Sequence, residues 1–332
     1  MKKHFGSLVF MAIISLIFFA FIDCQKKKQE FHIGVLQWTE KIEAYNQTYK
    51  GVLNGLDHKG YKEGLNLHID YKNVDQDKEL ALKAAQVFVK NKVDLIVTLG
   101  TGSSLAALKA TEKHQIPIVF SIVGAPKASG IIHDYNDSKR NITGVSMKVP
   151  VKEQFQVVKE ILPNSKKLGI IYCTEMSQAI ATGKEAAAAA SEFGWEQLTI
   201  AFPKTELPQL KQKVQSLAQK VDVIYIPTDP ILGSPNNFQT IISVADDHKI
   251  PVIVVTKKFV ENGALAAVHC DFYEIGRQAA DPIGQILEGI DVRSIPSQEP
   301  TIKKISLNLI KARQLNIKIQ RNVILKADTI ID

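Results

Sequence analysis

Cysteine and aromatic residues are scarce in this chain of 332 residues, which has three cysteines, two tryptophans and 7% Phe, Trp and Tyr together. So few cysteines exclude a small scaffold held by disulfides, and no Cys/His spacing resembles a zinc site. The formal net charge is +7, but no basic segment is interleaved with aromatic residues, as nucleic-acid binding would favour. We therefore predict no bound metal and no nucleic-acid partner.

Sequence motifs of common enzymes are also missing. Gly100 and Gly102 begin like a dinucleotide fingerprint, but Leu105 stands where the third glycine is needed. The chain has neither the Gly-Lys-Ser/Thr ending of a phosphate loop nor the Gly-x-Ser-x-Gly elbow of a hydrolase. We predict no cofactor and no enzymatic activity. One remote catalytic alternative, a hydrolase acting in a cleft, would use Glu175, Asp229 or Asp271.

The longest apolar run lies at the N-terminus. A basic start precedes an apolar segment over residues 8–22, which is too short for a typical membrane span and typical of a signal peptide. No later segment is apolar enough to span a bilayer. Cys24 follows, as in bacterial lipoprotein signals, although Phe21 and Asp23 depart from the residues usual there.

We predict a signal peptide over residues 1–23, lipid attachment at Cys24 and a tether over residues 24–31. A cleaved secretory signal and an uncleaved anchor are the alternatives. All three place the globular part outside the cytoplasm, in the periplasm or at the cell surface.

From residue 32 onward, short apolar runs alternate with amphipathic segments in two similar halves. We predict strands at 33–38, 67–71, 95–99 and 118–123, and then at 168–172, 198–202, 223–226, 252–255 and 265–268. Such continuous apolar strands between helices indicate parallel sheets covered on both faces. The predicted fold class is therefore α/β, with two doubly wound parallel-sheet lobes and a ligand cleft between them.

Two helices can be placed more closely by their apolar spacing. The first carries four apolar residues on one face, Leu80, Ala84, Val87 and Phe88. The second is predicted to begin at a Thr205 cap and to carry Leu210, Val214 and Leu217. Cys173 and Cys270 each end an apolar run; two buried free thiols are favoured over a disulfide.

Ligands of doubly wound domains bind beyond the carboxyl ends of the strands. The turn over residues 100–104, Gly-Thr-Gly-Ser-Ser, joins a buried strand to a helix start. Its free backbone N–H groups and hydroxyls suit a carboxylate. The alternative is a plain turn in which glycine allows tight packing and Ser103 caps the helix.

Several longer stretches have a familiar order and spacing. They are VDLIVTLGT at 93–101, IPIVFSIV at 116–123, NITGVSM at 141–147, ILPNSKKLGIIY at 161–172, VDVIYIPTDP at 221–230 and ENGALAAVHCDFYEIGRQAA at 261–280. Over residues 32–320 the chain resembles the extracytoplasmic substrate-binding proteins of ABC transporters in the tryptophan/tyrosine-type family. This resemblance implies the fold of a type I periplasmic binding protein.

The resemblance implies a first lobe of residues 32–146 plus 272–292 and a second of residues 147–271 plus 293–332. Crossings are expected near 146–152, Asp271 and 293–299. It also implies an importer receptor that binds a small molecule, an aromatic or apolar amino acid, closes by hinge motion and delivers the ligand to an ABC permease. A monomer is the default. The alternative is a sensor lipoprotein that presents its ligand to a membrane signalling receptor.

Carried onto this chain, the resemblance gives the turn 100–104 to the ligand carboxylate and the acids Asp229 and Asp271 to an ammonium group. Trp38 and Tyr273 would stack on the ligand. The full set predicted to bind ligand is Trp38, Glu40, Gly100, Thr101, Gly102, Ser103, Ser121, Val123, Thr143, Gly144, Glu175, Ser177, Thr228, Asp229, Asp271 and Tyr273.

Each of the prominent candidates also has a plain structural interpretation. Asp229 could start a turn, Asp271 cap a helix, Glu175 be a solvated charge, and Trp38 and Tyr273 be packing residues.

The chain departs from the family pattern at two places near the expected site. After the stretch that ends at Val123 the family usually has an Asp-Pro pair; here Gly124-Ala125-Pro126 follows, so the proline is kept and the acid is lost. After Glu40 the family usually has a His-Pro step, and here Lys41-Ile42 stands in its place. The lost acid weakens the expectation of a typical aromatic amino acid unless Glu175, Asp229 or Asp271 takes over.

Overall fold

The structure is a computed structural model that describes residues 30–137 and 139–332. The predicted signal peptide, the Cys24 lipid attachment and most of the predicted tether lie outside the described residues. Within the described ranges, no helix combines the length and the apolar character that a membrane crossing needs.

A sheet of five parallel strands forms the first half of the molecule. The strands are β1 (Phe31–Gln37), β2 (Leu67–Asn73), β3 (Leu95–Leu99), β4 (Ile118–Val123) and β5 (Ile142–Ser146). Their order in the sheet is β2-β1-β3-β4-β5. Three helices connect the first four strands, α1 (Glu43–His58), α2 (Lys78–Lys90) and α3 (Thr101–Thr111).

The second half is a sheet of seven strands. They are β6 (Lys167–Cys173), β7 (Glu196–Phe202), β8 (Val223–Tyr225), β9 (Val252–Val254), β10 (Ala266–Cys270), β11 (Lys303–Asn308) and β12 (Thr329–Ile331). The order is β12-β11-β10-β9-β8-β6-β7, and β10 and β11 pair antiparallel while the other pairs are parallel.

The remaining helices join these strands. They are α4 (Val151–Ile161), α5 (Ser177–Ala190), α6 (Leu210–Ala218), α7 (Pro235–Asp247), α8 (Lys257–Glu261), α9 (Phe272–Leu287), α10 (Leu309–Gln314) and α11 (Arg321–Lys326). Short 3₁₀ segments occupy Ser191–Phe193, Lys204–Gln209 and Val292–Ser294.

Burial explains why the apolar runs became strands. All residues of β3, β4 and β5 are buried, as expected for a parallel sheet with both faces covered. Each sheet has a separate apolar cluster on each face, so the chain builds two cores. The predicted α/β class with two parallel-sheet lobes is confirmed. The bounds of β3 and β4 are as predicted, and those of the other seven predicted strands differ by one or two residues.

The chain passes between the sheets at three places. β5 ends at Ser146 in the first sheet, and α4 packs on the second. β10 belongs to the second sheet, whereas α9, two residues later, packs on the first. Val145 bridges Gln298, and β11 then returns the chain to the second sheet. The exact lobe boundaries stay a prediction.

Close contact between two glycines and backbone locks α9 onto the first sheet. A Cβ on Gly276 would lie 2.0 Å from the Thr48 carbonyl oxygen in α1, and one on Gly51 would lie 2.0 Å from the Tyr273 carbonyl oxygen. Only residues without a side chain allow this approach. The contact fixes the start of α9, and with it Asp271 and Tyr273, beside the first lobe.

Two details of the helices differ from the sequence prediction. In α2 the buried residues are Ala81, Ala85 and Phe88, whereas Leu80 is 50% and Val87 is 44% exposed. The buried face is thus turned by about one residue, because Phe88 fills the space over Gly34, where a Cβ would lie 2.6 Å from its ring.

The second difference concerns the segment before α6. Leu210, Val214 and Leu217 are buried as predicted. Thr205, however, is not the helix cap, because it lies inside the 3₁₀ segment Lys204–Gln209 and α6 begins only at Leu210. Cys173 and Cys270 are buried free thiols, which confirms the favoured prediction.

Candidate ligand-binding site

A cavity of about 460 Å³ lies between the two sheets, beside the crossing segments. The first half contributes Gln47 of α1 and Gly124 at the end of β4, and Met147–Val149 of the first crossing form one wall. The second half contributes helix residues and the carboxyl ends of β8, β9 and β10. This is the place where doubly wound domains bind ligands.

Asp271 is the carboxylate in the cavity. It lies between β10 and α9, and its Oδ1 caps α9 by accepting hydrogen bonds from the backbone N–H of Tyr273 (3.0 Å) and Glu274 (3.2 Å). Among the described residues its Oδ2 has no hydrogen-bond partner. One oxygen is therefore committed to the helix, while the other is free to accept from a cation.

Neutral polar groups lie around this carboxylate. Thr182, Thr228 and Thr256 present hydroxyls, and Gln178 presents an amide; within the described ranges none of the four side chains has a hydrogen-bond partner. Gln154 also lines the cavity, but it is fully used: its amide donates to the Val149 carbonyl, and its oxygen accepts from the Tyr225 hydroxyl.

Three lysines, Lys148, Lys257 and Lys258, also line the cavity, and Lys257 Nζ lies 3.6 Å from the Glu261 carboxylate. Most of the remaining wall is apolar. It is formed by Met147, Val149, Val255, Val268, Phe272 and the ring of Tyr273. Such a lining, with a few unpaired polar groups, is typical of a site for a small molecule that has one apolar part and one polar part.

Two titratable groups beside the cavity are uncharged near neutral pH. Burial raises the pKa of the Cys270 thiol to about 12. Burial also lowers the pKa of His269, whose Nδ1 lies 2.9 Å from the Cys270 carbonyl oxygen and whose Nε2 lies 2.9 Å from Ser306 Oγ. Lys148 is paired with Glu185 at 2.6 Å. Asp271 is thus the free negative charge of the described cavity wall.

Three of the sixteen predicted ligand residues line this cavity, namely Thr228, Asp271 and Tyr273. The other thirteen lie outside its wall. Their contacts explain their positions and correct several of the roles expected of them.

Asp229 lies next to Thr228 but is buried and fully occupied. Its carboxylate accepts hydrogen bonds from the backbone N–H of Cys173 (2.6 Å), Ile231 (2.9 Å) and Leu232 (3.1 Å). With both oxygens bound to the protein's own backbone, Asp229 holds the turn after β8 to the end of β6. The turn interpretation therefore replaces the ammonium role expected for it.

The turn at residues 100–104 is covered by aromatic rings. A Cβ on Gly102 would lie 2.3 Å from the Trp38 ring, and one on Gly100 would lie 2.8 Å from the Tyr45 ring. Gly100, with a φ of 105°, caps α3 without a side chain, so Ser103 is not the cap either. The first-turn N–H groups of a helix lack partners within the helix, and in this turn Trp38 packs against Gly102.

Six more predicted residues lie inside the first sheet or its turn. Ser103 and Ser121 are fully buried, and their hydroxyls have no partner among the described residues. Thr143 Oγ1 lies 3.5 Å from Ser297 Oγ. Gly144 packs against the Phe120 backbone. Val123 is buried in the first core, and Thr101 is the first residue of α3.

The remaining predictions fall on exposed residues. Glu175 accepts from the Lys204 backbone N–H at 3.1 Å, and Ser177 is the exposed first residue of α5. Glu40 accepts a hydrogen bond from the Tyr71 hydroxyl at 2.7 Å. In this conformation none of the three belongs to the described cavity wall.

Sequence reasoning missed the helix residues of the cavity, Gln47, Gln154, Gln178 and Thr182. The predicted ligand residues were mostly strand ends, whereas these residues lie in the first two turns of α1, α4 and α5. Polar residues in the first turns of helices that follow such strands are the signal that would have found them.

A cleft between two parallel-sheet lobes, joined by three crossings and lined by one free carboxylate, defines a solute-binding protein. The family model for ABC transporter substrate binding proteins matches residues 32–331. The chain therefore belongs to the ABC transporter substrate-binding protein family, whose members bind a small molecule outside the cytoplasm and work with an ABC permease.

Similar proteins support this family membership. A tyrosine-binding protein of Clostridioides difficile is 30% identical over 269 residues, which are 81% of this chain and 76% of that protein. The ligand-free, open structure of a Clostridium difficile substrate-binding protein with adhesive properties is 27% identical, covers 91% of this chain and 99% of its own, and has a TM-score of 0.81.

A third similar protein was solved with ligand. An ABC domain from Streptococcus pneumoniae in complex with L-Trp is 27% identical, covers 91% of this chain and 100% of its own, and has a TM-score of 0.71. The two structures agree with the predicted type I periplasmic-binding-protein fold.

Proposed function

We propose that this protein binds an amino acid with an aromatic or apolar side chain in the cavity between its lobes and delivers it to an ABC permease. It does so as a carrier, without turnover of the ligand. The tyrosine-binding relative and the tryptophan complex support this ligand class. The observation that carries the proposal is the free Oδ2 of Asp271, the one carboxylate of the described cavity wall, beside a largely apolar surface.

The Asp271 carboxylate receives the ligand's ammonium group. A charge-assisted hydrogen bond of this kind is strong because both partners are ionised and the cavity is partly shielded from water. Since the departure at Gly124-Ala125 removes the acid that the family pattern has there, Asp271 supplies the needed negative charge. Thr228 and Thr256 line the same cavity and offer further hydroxyls to the ligand.

The ligand side chain packs against the apolar wall formed by Val255, Val268, Phe272 and Tyr273. An aromatic ring stacked on Tyr273 adds about 0.5–1.5 kcal/mol beyond the area that it buries. A cavity of about 460 Å³ is within the usual range for small-molecule sites.

The ligand carboxylate is held by the first turn of α3 once the lobes close. Trp38 must leave Gly102 for the N–H groups there to be reached. The unpartnered buried hydroxyls of Ser103 and Ser121 support this assignment, because buried polar groups normally have a partner. The higher TM-score against the open, ligand-free relative than against the tryptophan complex supports an open conformation for this structure.

The proposal also includes the lipid anchor, the oligomeric state and the boundaries of the lobes. Lipid at Cys24 would keep the receptor at the membrane, and a monomer suits a tethered carrier. The lobes would be residues 32–146 plus 272–292 and 147–271 plus 293–332, with closure by hinge motion at the crossings.

The test is binding of free amino acids, measured by thermal shift and by isothermal titration calorimetry. L-tyrosine, L-tryptophan, L-phenylalanine and L-leucine are compared with L-aspartate, L-lysine and D-ribose. A ligand at about 100 times its Kd stabilises the folded state by about 2.7 kcal/mol, which raises the melting temperature measurably. A response confined to the aromatic or apolar amino acids is the expected result; no response to any of them contradicts the proposal.

Asp271→Asn isolates the carboxylate, because asparagine caps a helix about as well as aspartate does. We expect the Kd of the amino acid that binds to rise about 10- to 100-fold, the equivalent of one charged hydrogen bond. Asp77→Asn is the matched control: Asp77 caps α2 by accepting from Glu79 and Leu80, and it lies outside the cavity wall. Equal affinities of the two variants would exclude Asp271 as the ammonium site.

A further inference from the structure

A second cluster of chemically active side chains lies at the opposite end of the first sheet from the cavity. His32 is in β1, and His68 and Asp70 are in β2. The two strands are parallel neighbours with His32 directly opposite His68, and Asp70 is two residues further along. Side chains two residues apart on a strand point to the same face, so the sheet brings three potential metal ligands to one surface.

The donor atoms of these residues converge. His32 Nε2 lies 3.0 Å from Asp70 Oδ2, and His68 Nε2 lies 3.5 Å from Asp70 Oδ1. The imidazole rings are 4.6 Å apart, centroid to centroid, and one donor atom from each residue can be chosen so that all three lie within 4.8 Å of one another. Ligands of a tetrahedral ion with bonds of about 2.0–2.2 Å lie roughly 3.3–3.6 Å apart, so small side-chain rotations suffice.

The surroundings suit a metal ion better than a simple ion pair. Asn91, just beyond the end of α2, donates to Asp70 Oδ2 at 3.2 Å, as groups outside the ligand set commonly do to orient a coordinating carboxylate. The Asp94 carboxylate accepts from the His32 backbone N–H at 2.7 Å and adds negative charge nearby. His68 is 70% exposed, which leaves a path for the ion and room for water as a fourth ligand.

We propose that His32, His68 and Asp70 form a binding site for a divalent transition-metal ion, and Zn²⁺ is the ion with which we would test it. Two imidazoles and one carboxylate are a recurring ligand set for Zn²⁺ and for other late first-row metals. The bound ion would join edge strand β2 to β1. Cys/His spacing along the chain did not predict this site, because its ligands come together across two strands.

The experiment is a titration of the purified, chelator-treated protein with ZnCl₂ against a competing zinc indicator. We expect one Zn²⁺ per chain at this site, and we expect His68→Gln to weaken the binding at least 10-fold. Because His68 is largely exposed, this variant keeps the fold. His114→Gln, an exposed histidine elsewhere, is the matched control and should bind as the unaltered protein does.

X-ray absorption of the zinc complex gives an independent readout. Two imidazole nitrogens and one carboxylate oxygen at about 2.0–2.2 Å are expected. Asp271→Asn should leave zinc uptake unchanged, and zinc should leave amino-acid binding unchanged, so this proposal and the proposed function stand or fall separately. Absence of saturable uptake, or equal zinc affinities of the His68→Gln and His114→Gln proteins, would overturn it.

Discussion

The two sheets present different surfaces to the cleft between them. At the carboxyl end of the first sheet, the protein covers its own backbone: Trp38 packs on Gly102, and Tyr45 packs on Gly100. At the carboxyl end of the second sheet, Thr228, Thr256 and one oxygen of Asp271 line an accessible cavity without partners among the described residues. Both ends are built from the same strand-to-helix turns.

The difference shows that the fold determines where the ligand cleft lies, while local packing decides which lobe's strand ends are accessible in it. On the first lobe, the glycines that would free the backbone for a carboxylate instead admit an aromatic ring. On the second lobe, the acid that is buried, Asp229, serves the fold, and the half-buried acid, Asp271, is left for a ligand. The predictions below test this division.

The largest effect is expected for Asp229→Asn. An asparagine keeps one acceptor, but its NH₂ group would face either the Cys173 N–H or the N–H groups of Ile231 and Leu232. The substitution removes charge-assisted hydrogen bonds and leaves two buried N–H donors facing each other. We therefore expect the free energy of unfolding to fall by about 2–3 kcal/mol. Denaturant unfolding monitored by fluorescence measures it.

Asp271→Asn is the paired variant for this prediction. Its cap survives the change, so the free energy of unfolding should fall by less than about 0.5 kcal/mol. The two substitutions would then have different effects: Asp229→Asn would lower stability, and Asp271→Asn would lower ligand affinity. Similar stability losses in both variants would contradict the division.

The second prediction concerns the covered turn of the first lobe. In Gly102→Ala the new Cβ must displace the Trp38 ring, which it would otherwise approach to 2.3 Å. Overpacking of this kind costs about 1–3 kcal/mol, and unfolding in denaturant measures the loss. The altered environment of Trp38 should also appear as a shift in its fluorescence.

Gly124→Ala is the matched control, at the end of the neighbouring strand β4. Its Cβ would meet only the end of the flexible Gln178 side chain, at 3.2 Å. We expect little change in stability. If Gly102→Ala were equally well tolerated, Trp38 would be free to leave the turn, and the first lobe would be as open to a ligand as the second.

The third prediction compares two adjacent residues of α5. Ser177 was expected from the sequence to bind ligand, yet the cavity is lined by Gln178. Gln178→Ala should weaken binding of the amino acid that the protein takes by about 2- to 10-fold, the range of one neutral hydrogen bond. Ser177→Ala should leave the Kd unchanged. Calorimetric titration gives the Kd of both variants. A larger loss of affinity in Ser177→Ala than in Gln178→Ala would favour the sequence prediction.

The fold was predictable because it depends on patterns that repeat. Nearly continuous apolar strands such as β3 and β4, separated by amphipathic helices, leave little choice but covered parallel sheets. The face of α2 was predicted less well, since Leu80 and Ala81 are adjacent and only the tertiary fit of Phe88 over Gly34 decides which is buried.

The site was less predictable because its residues differ by contacts that the sequence does not express. Asp229 and Asp271 both follow strands of the second sheet, and only the hydrogen bonds from Cys173, Ile231 and Leu232 distinguish the structural acid from the free one. Gln178 was missed because it comes from a helix. The cross-strand pairing of His32 with His68 likewise joins residues 36 positions apart.

The smallest predicted effect tests whether His269, in the cavity lining of the second lobe, is uncharged. Burial, and to a smaller extent the nearby Lys257, keeps the pKa of His269 below its ordinary 6.5, against the opposing influence of the Cys270 carbonyl, Asp328 and Asp271. As the pH falls through about 6.5, the unfolded chain takes up a proton at this histidine that the folded protein does not, so stability declines. One proton sets a limit of about 1.4 kcal/mol per pH unit, and we expect a fraction of it.

His269→Gln removes this titration while keeping an amide donor for the Cys270 carbonyl. The free energy of unfolding should therefore fall less between pH 7.5 and 5.5 than in the unaltered protein. His114→Gln, which changes an exposed histidine, should leave the slope unchanged. A steeper decline in His269→Gln would mean that His269 is charged when folded. A cationic imidazolium beside Asp271 would then compete with the ammonium group of a ligand. The Asp271 carboxylate could no longer be described as a free negative charge.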